Sequence, residues 1–281
     1  MASPIVSTDW LLEHLEAPDI VIIHAILAFE KPLEELEAEY SETRIPGALP
    51  FNIDEIADQL DPLPHMFPNA VQFSSQMRKM GVGDGQRIVV YDTSGNFSAS
   101  RVWWMFKTFG IDDVVVLDGG LPKWIAEDKP LSSGTPRPFK DRHFTARFQT
   151  MNVRDMYDVH SALKSDAIQV VDVRSNERFT GAEQEPREGL RAGHMPGSIN
   201  VYYKDLLNDN ATMKSADELR AKFESAGVDL KKPIITSCGS GITACIASLG
   251  LEIIGHHSTS VYDGSWTEWG GCDDNAVVTG P

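Results

Sequence analysis

The feature that most constrains this chain is that it is written twice. Pro46-Gly47-Ala48-Leu49 recurs as Pro196-Gly197-Ser198-Ile199, 150 residues on. Ile88-Val89-Val90-Tyr91-Asp92 recurs as Ile234-Ile235-Thr236-Ser237-Cys238 at a spacing of 146, and Asp118-Gly119-Gly120 through Trp124 recurs as Asp263-Gly264-Ser265 through Trp269 at 145. Three matches in the same order with a slowly drifting offset point to a tandem duplication. The period is far too long for a solenoid, so each copy is the size of a domain. A length of 281 residues fits two such copies. The joint falls in Glu127–Thr150, where Pro130, Pro136, Pro138, Gly134 and Ser132-Ser133 give loop composition.

Within each copy, short β-rich apolar runs alternate with helical stretches. In the second, Ala167–Val173 and Pro233–Ser237 read as strands, and Ser260–Tyr262 as a shorter one. Ser215–Ala226 opens on a capping-box pattern, Ser215 with Glu218 three residues later, and carries Leu219 and Phe223 on one face. Ile242–Leu251 reads as another helix. The alternation predicts an α/β fold, a mostly parallel sheet with helices on both faces of each copy. Sites in such sheets gather at the carboxyl ends of strands, which is where Cys238 falls.

Composition narrows the function. Twenty-five Lys and Arg against 41 Asp and Glu leave a net charge of −16, which disfavours a nucleic-acid partner, since phosphate binding draws on cationic side chains. The longest apolar stretch, Ile20–Ile23 and Ala25–Phe29 on either side of His24, is far shorter than the roughly 20 residues a membrane span needs. No signal peptide is visible at the start of the sequence. Three cysteines, Cys238, Cys245 and Cys272, do not suggest a disulfide framework, and a reducing cytoplasm is the expected compartment. Cys245 reads as core, Cys272 as an exposed thiol or a redox-sensitive one, and Trp103, Trp104, Trp266 and Trp269 as core or cleft walls. His256-His257 lacks further ligands, so no metal site is expected, and no cofactor motif is present.

The most informative segment is Ile234–Ala244: strand, cysteine, glycine-rich loop, helix start. Gly239 and Gly241 let backbone N–H groups converge on one point, and the helix N-terminus adds positive potential. A sulfur held there would be a better nucleophile. The same cradle suits a persulfide or an oxyanion. A buried structural cysteine ending a core strand is the other reading. A Cys-X5-Arg phosphatase is disfavoured, because the sixth residue after Cys238 is Ala244 and no arginine follows Arg220.

The tandem repeat, Cys-Gly-Ser-Gly-Ile-Thr at 238–243, Gly-His-Met-Pro-Gly at 193–197 and Tyr-Asp-Gly-Ser-Trp-Thr-Glu-Trp at 262–269 resemble the rhodanese superfamily, from about Val6 to Gly270. Within it the chain resembles the 3-mercaptopyruvate sulfurtransferases. Thiosulfate sulfurtransferases of the superfamily typically carry a basic loop of the type Cys-Arg-Lys-Gly-Val-Thr, where this chain has neutral Gly239 and Ser240. The resemblance implies two rhodanese-like domains, residues 5–130 and 152–281, joined by 131–151. The first would be silent, with Asp92 at the cysteine position.

The resemblance also implies that Cys238 carries sulfur from 3-mercaptopyruvate to a thiol such as thioredoxin, or to cyanide, with Gly239, Gly241, Ile242 and Thr243 forming the substrate loop. It places two substrate arginines at Arg178 and Arg187, where a guanidinium fork suits a carboxylate. Arg191 competes for that role. Glu183, Glu185 and Glu188 could instead pair with these arginines on a solvated loop. An Asp54–His65–Ser240 relay would manage the proton. A thiosulfate sulfurtransferase and a persulfide carrier with little turnover are the alternatives.

Overall fold

The computed structural model describes residues 3–29, 31–135 and 140–281. Pro136 and Pro138 of the expected joint lie outside these residues. The chain divides into two compact units. The first comprises 1–62, 67–149 and 209–212, and the second 63–66, 150–208 and 213–281. The short segment holding His65 therefore groups with the second unit.

Branched apolar runs build the strands. In the first unit these are β1 (Ile5–Val6), β2 (Ile20–Ile26), β3 (Leu49–Asn52), β4 (Arg87–Tyr91) and β5 (Val114–Leu117). They pair in the order β1-β5-β4-β2-β3, and every pair is parallel. The second unit has β6 (Val153–Arg154), β7 (Gln169–Asp172), β8 (Ile199–Asn200), β9 (Ile234–Ser237) and β10 (Thr259–Tyr262), in the order β6-β10-β9-β7-β8, again wholly parallel. The two orders are the same when each set is counted from its own first strand. This is the duplicated α/β architecture the sequence predicts. The four residues of β9 are all buried, as expected for a central strand covered on both faces.

Elements sit close to their expected limits, with instructive offsets. The Ala216–Ser225 helix has Ser215 as its N-cap, and Ser215 and Glu218 exchange the capping-box hydrogen bonds. The last helix expected from Ile242 starts instead at Ala244 and runs to Ile253, because Gly241 takes φ +76° and Ile242 and Thr243 stay in the loop. Cys245, on that helix, is buried, and its thiol points to the Gly241 carbonyl. Trp103, Trp104, Trp266 and Trp269 are all buried. Residues 140–149, of loop composition, are built into the first unit: Phe144 is fully buried against Phe73 and Phe106, and Arg78 donates to its carbonyl.

One buried group of the first unit titrates. His24 on β2 packs between the rings of Tyr40 and Tyr91, and burial, reinforced by the Arg44 charge, lowers its pKa from 6.5 to about 4. Below pH 6.5 the unfolded chain takes up a proton that the folded chain refuses until about pH 4, so stability falls as the pH drops through that window. At about 1.4 kcal/mol per pKa unit the loss reaches about 3 kcal/mol. Urea unfolding at pH 7 and pH 4 checks this: His24→Phe should show a pH dependence smaller by about that amount, and an unchanged dependence would exclude His24 as its source.

Candidate active site

Cys238 follows β9 directly, at the carboxyl end of the middle strand of its sheet, and is 2% exposed. Three backbone features turn the following loop into a cradle. The Cys238 carbonyl accepts from the Trp266 N–H (3.0 Å), and the Gly239 carbonyl accepts from both the N–H (2.9 Å) and the hydroxyl (2.7 Å) of Thr267. In a trans peptide the N–H points opposite to the C=O. Pinning these two carbonyls on the Ser265–Gly271 helix therefore turns the Gly239 and Ser240 N–H groups the other way. The N–H groups of Gly239, Ser240, Ile242 and Thr243 donate to no acceptor among the described residues. The N-terminus of the Ala244–Ile253 helix completes the positive lining.

Ser265 holds the loop from behind. Its hydroxyl accepts from the N–H groups of Cys238 and Gly241, both at 3.1 Å, and donates to the Tyr262 carbonyl at 2.8 Å. One donor and two acceptors are a hydroxyl's full complement. Ser265 does this from φ +50°, a left-handed conformation costing a non-glycine residue roughly 1–2 kcal/mol. Gly120 stands at the matching place in the first repeat with φ +54°. No local pattern singles out Ser265, yet the repeat carries the signal: a serine stands where the other copy has glycine.

The first repeat shows what such a loop holds. There Asp92 follows β4, and its carboxylate lies within its own loop. It accepts from the N–H groups of Ser94 (2.9 Å), Ser98 (2.8 Å) and Ala99 (2.8 Å) and from the Ser98 hydroxyl (3.3 Å). The Asp92 carbonyl accepts from Leu121 N–H as that of Cys238 does from Trp266. Complete burial pushes the Asp92 carboxyl up from its ordinary range, and these amides, with that of Gly95, pull the other way. One copy of the loop thus surrounds a carboxyl group supplied by the chain. The other surrounds a sulfur and has amides to spare.

Arg178 and Arg187 both converge on this loop. A Cβ built on Gly239 would sit 3.3 Å from Arg178 Nη2 and 3.9 Å from Arg187 Nη1. Arg178 donates from Nε (3.1 Å) and Nη2 (2.5 Å) to Glu185. Of the three glutamates that could pair here, Glu185 does so, and from a buried position rather than a solvated one. Arg187 Nη2 stands 3.5 Å from His65 Nε2. Arg178 Nη1 and Arg187 Nε and Nη1 donate to nothing among the described residues. Arg191 is no competitor: its guanidinium donates to the carbonyls of Trp269, Gly270, Cys272 and Asn275, tying down the end of the Ser265–Gly271 helix.

Ser240 is buried in the loop next to Cys238. His65 holds φ +62°, a strained conformation of the kind found at functional positions. Asp54, in the short Ile53–Ile56 helix of the first unit, accepts from the Ala28 N–H at 3.0 Å. Among the described residues no cluster of three metal-ligating side chains occurs. Nor is any helix long and apolar enough to cross a membrane.

A duplicated parallel sheet with a cysteine in a loop of convergent backbone N–H groups defines a class, and comparison with known proteins gives it its name. The Rhodanese-like domain family matches residues 7–127 and 155–272. The chain belongs to this family. The human 3-mercaptopyruvate sulfurtransferase is 40% identical over 280 residues, 96% of this chain and 94% of the human protein. The bovine thiosulfate sulfurtransferase is 37% identical over 272 residues, covering 94% of this chain and 91% of its own. The crystal structure of the Escherichia coli 3-mercaptopyruvate sulfotransferase SseA superposes with a TM-score of 0.86 at 38% identity, covering 94% of this chain and 99% of that one. Whole-chain identity hardly separates the two donor classes, so the choice of donor rests on the site.

Proposed function

We propose that this protein is a sulfurtransferase that takes sulfur from 3-mercaptopyruvate onto Cys238 and passes it to a thiol or to cyanide. The observation that carries the reading is the pair of arginines on a neutral Gly239. Their unspent donors suit one carboxylate and the neighbouring keto oxygen, which is what mercaptopyruvate presents. Thiosulfate offers a compact dianion with no such handle, and the loop beside Cys238 brings no cationic side chain to meet it.

In the proposed cycle the Cys238 thiolate attacks the donor sulfur. The S–S bond forms as the C–S bond breaks, and its electron pair leaves as the enolate of pyruvate. The enolate carbon takes the proton that the donor thiol carried, moved by Ser240, His65 and Asp54. Within the Gly239–Thr243 loop, the amides of Gly239, Ser240, Ile242 and Thr243 stabilise the persulfide left on Cys238, with that of Gly241 held by Ser265. An acceptor thiolate or cyanide then removes the outer sulfur and frees the Cys238 thiolate. The first repeat takes no sulfur, since Asp92 has none to bear it and already fills its loop. Three free cysteines support a reducing compartment, which we take to be the cytoplasm.

Steady-state turnover with both donors tests the reading. The wild-type protein should favour mercaptopyruvate over thiosulfate in kcat/KM by at least about tenfold, the factor that one lost charged hydrogen bond represents. Gly239→Arg with Ser240→Lys should move the preference toward thiosulfate, because the new Cβ crowds Arg178 and the new charges meet the dianion. Equal use of both donors by the wild-type protein would refute the assignment.

A further inference from the structure

Behind Arg178 lies a buried chain of ion pairs that the mechanism above does not use. The Glu185 side chain is 1% exposed. Its Oε1 accepts from Arg174 Nη1 (2.7 Å) and Arg178 Nε (3.1 Å), and its Oε2 from Arg178 Nη2. Arg174 is itself fixed on three sides. It donates from Nε and Nη2 to Asp172 at the end of β7, and from Nη2 to the Gly193 carbonyl. Its guanidinium also lies 4.0 Å from the Trp266 ring centroid. Trp266 is the residue whose N–H pins the Cys238 carbonyl. The chain Asp172–Arg174–Glu185–Arg178 balances two negative against two positive charges, so Glu185 adds no net pull on an anion. What it fixes is direction. By occupying Nε and one hydrogen of Nη2, it leaves Arg178 its end-on donors: Nη1 and the second hydrogen of Nη2, the nitrogen that a Cβ on Gly239 would meet at 3.3 Å.

We infer that Glu185 is a positioning residue for donor recognition: it orients the free edge of Arg178 toward the Cys238 loop, and Arg174 anchors it in register with that loop through Trp266. The inference rests on the reading that Arg178 receives the donor carboxylate. A long side chain left unbraced would sample several rotamers, and each encounter with donor would have to order it again. The brace therefore acts on donor binding and not on the sulfur chemistry.

The test uses the full chain with two donors, mercaptopyruvate and inorganic polysulfide, which carries no carboxylate. Glu185→Gln should raise KM for mercaptopyruvate about tenfold or more, leave kcat within about threefold, and leave the rate of Cys238 persulfidation by polysulfide, followed by mass, within about twofold. Glu185→Asp keeps the charge that buried Arg174 needs but has a shorter reach, so it should show a smaller KM defect in the same direction. It decides the matter if the Gln variant does not fold. In an Arg178→Ala background, adding Glu185→Gln or Glu185→Asp should change the mercaptopyruvate KM by less than about twofold, since the residue being positioned is gone. Equal slowing with both donors, or effects that multiply in the double variant, would overturn the inference and leave Glu185 a fold-supporting residue. If Arg178→Ala alone left the mercaptopyruvate KM unchanged, the donor reading itself would fail. A raised KM in Arg178→Ala with none in the Glu185 variants would reject only the positioning role.

Discussion

Cys238→Ser should abolish turnover with every donor, a loss on the order of a thousandfold or more, and should remove the one-sulfur mass gain that donor treatment gives the wild-type protein. Serine fits the site closely, so the loop amides and the Ser265 bonds to the backbone of Cys238 and Gly241 remain in place. What is lost is the sulfur alone. Cys245 and Cys272 provide the internal control. Cys245 is buried on the Ala244–Ile253 helix with its thiol aimed at a carbonyl, and Cys272 lies beyond the Ser265–Gly271 helix whose end Arg191 clamps. Cys245→Ser and Cys272→Ser should keep both the turnover and the mass gain. Persulfide on Cys238→Ser, located by peptide mass mapping at either of the other cysteines, would contradict the mechanism.

The second large effect concerns the arginines. A charged hydrogen bond typically contributes about 1.5–3 kcal/mol, and 1.4 kcal/mol is a factor of ten. Arg178→Ala and Arg187→Ala should each lower kcat/KM for mercaptopyruvate roughly 10- to 100-fold. The two are not equivalent. Arg178→Ala also strips Glu185 of one of its two cationic partners, so part of its cost falls on the fold and should appear as a lower melting temperature. Among the described residues the Arg187 guanidinium holds only a long contact with His65, so Arg187→Ala gives the cleaner measurement. Lysine at either place keeps the charge and loses the fork, and should recover only part of the activity. Melting curves together with mercaptopyruvate and polysulfide kinetics check these outcomes. A mercaptopyruvate kcat/KM unchanged in both alanine variants would remove the carboxylate clamp from the mechanism.

Much of this molecule is legible in the amino-acid string, and the boundary is physical. The duplication, the alternating strands and helices, and the cysteine at a strand end all follow from local patterns, because backbone preference and burial act over a few residues. The converging arginines were visible only through resemblance. Arg187 and Arg191 are the same residue type four positions apart, and no local rule separates them. Four carbonyls contributed by Trp269, Gly270, Cys272 and Asn275 decide that Arg191 is structural, and those lie some 80 residues away. Arg174 and Glu185 read as ordinary surface charges until Trp266 and Asp172 enclose Arg174 and Glu185 pairs with it. Ser265 needed a backbone angle. Its left-handed φ cannot be seen in a single copy, and only its alignment with Gly120 hints at it.

The two loops differ in where the acceptor for their amides comes from. In the first repeat the Asp92 carboxylate is covalently part of the chain, so its loop is satisfied as soon as that unit folds. In the second, under the proposed cycle, the amides of Gly239, Ser240, Ile242 and Thr243 would gain a lasting partner when sulfur is loaded. The order of the Cys238 loop would thus be coupled to the state of the reaction. On that cycle a persulfidated protein would be clamped around its cargo, and delivery of the sulfur would loosen the loop that held it. The two repeats would therefore keep different time: one set once at folding, the other reset at every turnover.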